Sequence, residues 1–261
     1  MEATLLLYNS IFVASMIYNA QSWSNLNKTD TNKLRGCQLS FLKRILHAPK
    51  SAPTAIVYGE LGMLPIEFEV YSRRLMFLQH ILKLHPTDPV KQVFYQQKEY
   101  EYEKNWANEV EAIKKTMDIN CEDSEIEEMS KYQWKGIVSK AIRAAALKEI
   151  NTNSSKLKKV QTQYNHLKTK EYLVKLPISD ARIAFAYRSG TFDIKSHRSY
   201  NYTDLKCRGC GEQDETIHHI VNECSEIERD YELNVEDDDV DTIIENVKRL
   251  KTFAQRFNPT D

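Results

Sequence analysis

Apolar residues in this chain recur mostly at intervals of three and four, so the pattern predicts helices almost throughout. Leu5 to Ala20 is the most apolar stretch, interrupted by Asn9, Ser10, Ser15 and Asn19. It predicts a core helix over Leu5–Trp23, buried on most faces. A polar break at Asn27–Asp30 offers Thr29 or Asp30 as an N-cap for the next helix. That helix carries Leu34, Cys37, Phe41, Leu42 and Ile45 on one stripe and ends at Pro49 and Pro53. A loop holding Gly59 and Gly62 follows. Pro65 then opens a helix through Val70, Leu75, Leu78 and Leu82, because proline is tolerated in a first turn.

The second half continues in the same way. Val93–Val110 reads as one charged helix, and Asp118–Ser130 as an acidic loop or linker. Trp134, Ile137, Val138, Ala141 and Ala145 mark an amphipathic helix, with a break over Asn151–Ser155. Leu157, Val160, Tyr164 and Leu167, spaced 3, 4 and 3, predict a further helical piece. Ile178–Tyr187 is a short basic helix, Gly190–Leu205 is irregular, and a last helix covers Ile243–Phe253. The fold expected is mainly α: helical bundles closed by a small C-terminal Cys3His zinc knuckle. The segments are 1–94 (helical), 95–130 (acidic), 131–206 (basic helical), 207–225 (knuckle) and 226–261 (acidic tail with a final helix).

Composition supports this. The 261 residues include only 7 glycines and 7 prolines, against roughly 18 and 13 at average usage, too few for a many-stranded sandwich or barrel. The 16 residues from Leu5 to Ala20 are short for a membrane span, which takes about 20. No basic residue precedes Lys28, so the segment lacks a signal peptide's basic start. The chain is expected to be intracellular, without a membrane partner. Five cysteines in a reducing compartment favour metal binding over disulfides.

The net charge of −1 hides segregation. Residues 1–94 carry +4, 95–130 carry −7, 131–206 carry +11 and 207–261 carry −9. A +11 block attracts polyanions whatever the whole-chain charge. Arg143, Lys148, Lys158, Lys159, Lys168, Lys170, Arg182, Arg188, Lys195, Arg198 and Lys206 are the candidate phosphate contacts, with Arg208 adding one from the knuckle. Tyrosines interleave among them. The expected partner is RNA or DNA, single-stranded RNA favoured. The rival reading is a protein-interaction module whose acidic segments mask the basic block.

The strongest chemical signal is Cys207-Arg-Gly-Cys210, followed by His218, His219 and Cys224. Zinc takes four sulfur or nitrogen donors in a tetrahedron, and a Cys-x2-Cys turn supplies two. A short helix from Thr216 returns an imidazole and the third thiolate. His219, five residues before Cys224, chelates with less strain than His218. The set Cys207, Cys210, His219 and Cys224 leaves no open position, so one structural Zn2+ is expected rather than a catalytic one. Cys37 and Cys121 are isolated. There is no Gly-rich phosphate loop, nucleophile elbow or His-Glu-x-x-His in the sequence, and neither an enzyme nor a small-molecule substrate is expected.

Two stretches resemble the region downstream of the polymerase in LINE-type (non-LTR) retrotransposon reverse transcriptases. One runs from Leu5-Leu6-Leu7-Tyr8 through Leu39-Ser40-Phe41-Leu42-Lys43-Arg44-Ile45-Leu46 and Glu60-Leu61-Gly62-Met63-Leu64-Pro65-Ile66 to Arg73-Arg74-Leu75. The other includes Lys175-Leu176-Pro177, Ser179-Asp180-Ala181-Arg182 and Glu215-Thr216-x-x-His219-x4-Cys224. The resemblance implies a helical segment after the thumb and a C-terminal zinc knuckle, a region thought to grip template RNA and target DNA. It also supports His219 over His218. The paired aspartates of the family's palm have no counterpart here, so polymerase activity does not carry over. The chain is expected to be a non-catalytic remnant of such an element.

Overall fold

The structure is a computed structural model that describes residues 1–24, 27–100, 104–157, 160 and 162–257. Its described residues are mainly helical and contain no strand, only an isolated antiparallel bridge between Lys206 and Asp214.

The helices are α1 (Glu2–Leu7), α2 (Ala14–Met16), α3 (Lys28–Ile45), α4 (Thr54–Leu61), α5 (Ile66–Leu82), α6 (Pro89–Glu99), α7 (Trp106–Thr116) and α8 (Asp123–Glu128). They continue as α9 (Lys131–Ser154), α10 (Glu171–Lys175), α11 (Ile178–Arg188), α12 (Ile217–Asn222) and α13 (Val240–Phe257). α5 is central, with α3, α7 and α9 packed on it, while α13 packs on α11 and α12.

α9 shows how sequence builds this packing. Its buried side chains are Trp134, Val138, Ile142, Ala146, Ile150 and Ser154, one every fourth position. Four residues turn about 400°, so the buried stripe creeps about 40° per step around the helix and serves both α5 and α4. Ser130 and Gln133 cap its start reciprocally, as a capping box does. The Trp134 indole N–H donates to the Leu75 carbonyl at 2.8 Å.

Gln38 of α3 is a buried hub linking Tyr8, just past α1, with α4 and α5. Its amide donates to Tyr8 and to the Leu64 carbonyl, each at 2.9 Å. It accepts from the Tyr58 hydroxyl at 2.7 Å and the Ile66 amide at 2.9 Å. Every polar atom of this side chain is satisfied, which is what makes its burial tolerable.

Several expected boundaries move. The first apolar segment is interrupted by a π-helical stretch, Tyr8–Val13, and only one face is buried; Leu6, Leu7, Ile11 and Tyr18 are exposed. α3 is capped by Asn27, whose side chain accepts from the Asp30 amide at 2.9 Å. Cys37 is exposed, because the buried centre of that stripe is Gln38 and Leu42. Gly59 lies inside α4, and Gly62 ends it at φ +64°, a conformation glycine adopts freely. The acidic stretch 118–130 contains α8, and α6 and α7 replace one long charged helix. Residues 162–170 are not helical: they cross α4, with the Lys168 backbone against Gly62 and the Tyr164 ring against Gly59.

Candidate metal centre

Residues 205–215 fold into a short irregular hairpin. The Glu215 amide donates to the Leu205 carbonyl at 2.8 Å and the Cys207 amide to the Gln213 carbonyl at 2.7 Å. Gly211 takes φ +73° at the turn. Thr216 then caps α12, accepting from the His219 amide at 3.0 Å, and α12 carries His219 back over the hairpin.

This brings Cys207, Cys210, His219 and Cys224 together, with their ligand atoms all within 4.8 Å of one another. The cluster could hold a metal ion. Two of its spacings are close to tetrahedral ones, in which sulfurs each about 2.3 Å from one ion lie about 3.8 Å apart, and a sulfur and an imidazole nitrogen about 3.6 Å apart. Cys207 Sγ and Cys224 Sγ are 3.8 Å apart, and Cys210 Sγ is 3.3 Å from His219 Nε2. His218 is exposed and outside the cluster.

The surrounding electrostatics match a cation. Burial pushes the Cys224 thiol up to about 11, with Cys207 beside it adding to the shift. For Cys210, burial works upward, yet the amides of Glu212 and Gln213 and the neighbouring thiols leave it below the ordinary cysteine value. Three sulfurs this close resist carrying charge together, and a bound divalent cation removes that resistance. His219 Nδ1 faces Glu223 Oε2 at 3.4 Å, the carboxylate–imidazole arrangement that fixes a ligating ring. Glu223 is absent from the sequence-based candidates, although its place four residues after His219 on a helix was a usable signal.

A second set of charges locks the cluster to the rest of the protein. The Glu215 carboxylate is fully buried. It accepts from the amides of Lys195 (2.9 Å) and Arg208 (2.8 Å) and pairs with the Arg208 guanidinium at 2.5 Å. Gly209 packs against the Phe257 ring at the end of α13.

The proposed phosphate contacts divide. Arg143, Lys148, Lys168 and Lys206 are exposed. Lys158 and Lys159 lie outside the described residues. All the others except Arg182 are engaged. Arg188 is buried: it pairs with the buried Glu60 at 3.3 Å and with Asp238 at 2.5 Å. That corrects its reading as a surface contact, because its charge neutralises carboxylates inside the fold. Lys170 pairs with Asp238 at 2.5 Å, Arg208 with Glu215, Arg198 with Asp193 at 3.2 Å, and Lys195 with Asp204 at 3.7 Å. Arg182 is half-buried. The acidic run takes part as well: Asp238 joins that network, and Asp239 caps α13, accepting from the Thr242 amide at 3.1 Å. Sequence reasoning missed Glu60, an isolated acid in an apolar helix. Its burial without a partner would have been costly, which was a signal that a cation sits nearby.

Scans against protein-family models, curated proteins and solved structures each find no match to this chain. Among the described residues, no helix is long and apolar enough to cross a membrane.

Proposed function

We propose that this chain is a non-catalytic nucleic-acid-binding protein whose C-terminal part is held by one structural zinc ion. Cys207, Cys210, His219 and Cys224 are the ligands. Three thiolates and one imidazole favour zinc over the harder divalent ions, and four protein ligands leave no position for a reacting water. In this reading the chain corresponds to the part of a LINE-type reverse transcriptase that follows the polymerase.

The observation that carries nucleic-acid binding is the surface of α9. Lys131, Lys135, Lys140, Arg143 and Lys148 are all exposed, and the only acid in the helix, Glu149, is tied to Arg35 at 3.0 Å. The helix thus offers a run of exposed cations, of which Arg143 also acts on Glu69. Single-stranded RNA contacting about five phosphates there should bind with a log–log salt slope near −3.5. The test is fluorescence anisotropy of the full chain with labelled RNA at increasing salt. Loss of binding in a Lys140→Glu, Lys148→Glu variant supports the reading, and no RNA or DNA retention at about 50 mM salt rejects it. Elemental analysis returning one zinc per chain tests the metal separately.

A second reading is a protein-interaction module with a zinc staple. It is favoured by the ion pairs that consume Arg188, Lys170 and Arg208. Under it, the charge-reversed variant and the parent bind RNA equally poorly.

A further inference from the structure

A groove of about 500 Å³ runs between the C-terminal half of α5 and the start of α9. Arg73, Met76, Phe77, His80 and Lys83 contribute from α5 and its end, at intervals that place them on one face, and Lys131 from α9 closes the other side. No carboxylate lines it. The rings of Phe77 and His80 stack, with centroids 5.7 Å apart and planes 25° apart. Trp106 meets Phe77 edge-on at 5.8 Å and supports it from behind. Arg73 is fixed by donating to the Ile17 carbonyl at 2.8 Å, which leaves other guanidinium N–H groups free of that bond.

Lys83 has an ordinary explanation, since it lies where a helix C-terminus favours positive charge. Lys131 does not. It is the first residue of α9, where the helix dipole disfavours a cation and favours an anion. Arg73 also acts on Glu69 one turn back on α5, but Lys83 and Lys131 meet no carboxylate in the groove lining, and gathering them with Arg73 around an aromatic pair becomes favourable when an anion enters.

We propose that this groove is a nucleotide subsite, in which one base stacks on His80 and Phe77 while its phosphate sits among Arg73, Lys83 and Lys131. The shared chemistry is a nucleoside phosphate, either one unit of a strand or a free mononucleotide. As a unit of a strand it rests on the nucleic-acid reading above and lengthens the α9 surface past its N-terminal end.

The experiment uses the full chain with three ligands: a labelled oligouridylate of about twelve nucleotides, an abasic strand of equal length, and free uridine monophosphate followed by saturation-transfer NMR. The variants are His80→Ala and the pair Lys83→Ala, Lys131→Ala. All three side chains are exposed, and circular dichroism checks that the variants stay folded. Stacking of one base is expected to make His80→Ala bind the base-bearing strand about tenfold more weakly, with the abasic strand almost unaffected. The lysine pair should weaken both strands. If strand affinity survives these changes but is lost in Lys140→Glu, Lys148→Glu, the groove is overturned and α9 stands. Uridine monophosphate binding that requires His80, with no strand binding, supports the groove as a free-nucleotide site and rejects the strand-binding function. No binding of any ligand overturns both.

Discussion

The sharpest quantitative expectation concerns Arg188, because its two readings lead to opposite results. As a phosphate contact it would affect RNA affinity and leave stability alone. In the structure it is buried against Glu60, which is fully buried, and the Tyr164 hydroxyl donates to the same carboxylate at 3.1 Å. Replacing Arg188 with Met keeps much of the apolar volume and removes the charge, leaving the Glu60 carboxylate uncompensated. Removing one partner of such a pair costs about 3–5 kcal/mol, a large share of a typical total of about 5–15 kcal/mol. The Asp238 contact adds little, because that side chain is 56% exposed and exposed pairs are worth about 1 kcal/mol or less. Urea unfolding followed by circular dichroism, with a slope of about 3 kcal/mol per molar, should show the midpoint falling by about 1–1.7 M. Adding Glu60→Gln removes the stranded charge, so the double variant should lie closer to the parent than Arg188→Met does, with a coupling of about 1–3 kcal/mol. RNA affinity of the folded variant should stay within about twofold. A midpoint unchanged to within about 0.3 M, together with a marked loss of RNA binding, would refute the buried-pair account.

Three further expectations follow from the same contacts. Cys224→Ser should abolish metal retention measured by elemental analysis, whereas Cys37→Ser should leave it intact; equal stoichiometry in both would exclude the Cys3His centre. Gly59→Ala places a Cβ 2.2 Å from ring atoms of the buried Tyr164 and should lower stability by about 1–3 kcal/mol or more; a thermal midpoint within a degree of the parent contradicts that packing. Burial works to raise the Glu215 carboxyl, but the Arg208 side chain and the amides of Arg208 and Lys195 hold it below the usual glutamate value. A depressed folded pKa stabilises above the ordinary value of about 4.3 and ceases to do so as pH falls through the lower folded value. The melting-temperature gap between the parent and Glu215→Gln should therefore be wide at pH 7 and close below about pH 4; a gap of constant size across that range is inconsistent with this role.

The helix-forming tendency was readable wherever a helix buries its own stripe. α5, α9, α11 and α13 come from such local periodicity. The same periodicity misled at Leu157–Leu167, where spacings of 3, 4 and 3 lead into residues 162–167, which are described and not helical. There the backbone is held by distant partners: the Asn151 side chain donates to the Tyr164 carbonyl and accepts from its amide, each at 2.9 Å. The apolar side chains bury themselves against neighbouring elements rather than along one helix face, and spacing cannot distinguish the two. Leu6, Leu7 and Ile11 show a similar limit, since hydrophobicity does not say how many faces receive a neighbour.

Sequence alone determined the gathering of three cysteines and a histidine, because every ligand lies within 18 residues and the closing turn and helix are local. It also determined that positive charge concentrates between 131 and 206. Only the tertiary structure decided which of those charges face solvent. Arg188 and Lys170 meet Glu60 and Asp238 across separations of 128 and 68 residues, and a pairing over such distances is set by how helices pack, which no local spacing encodes.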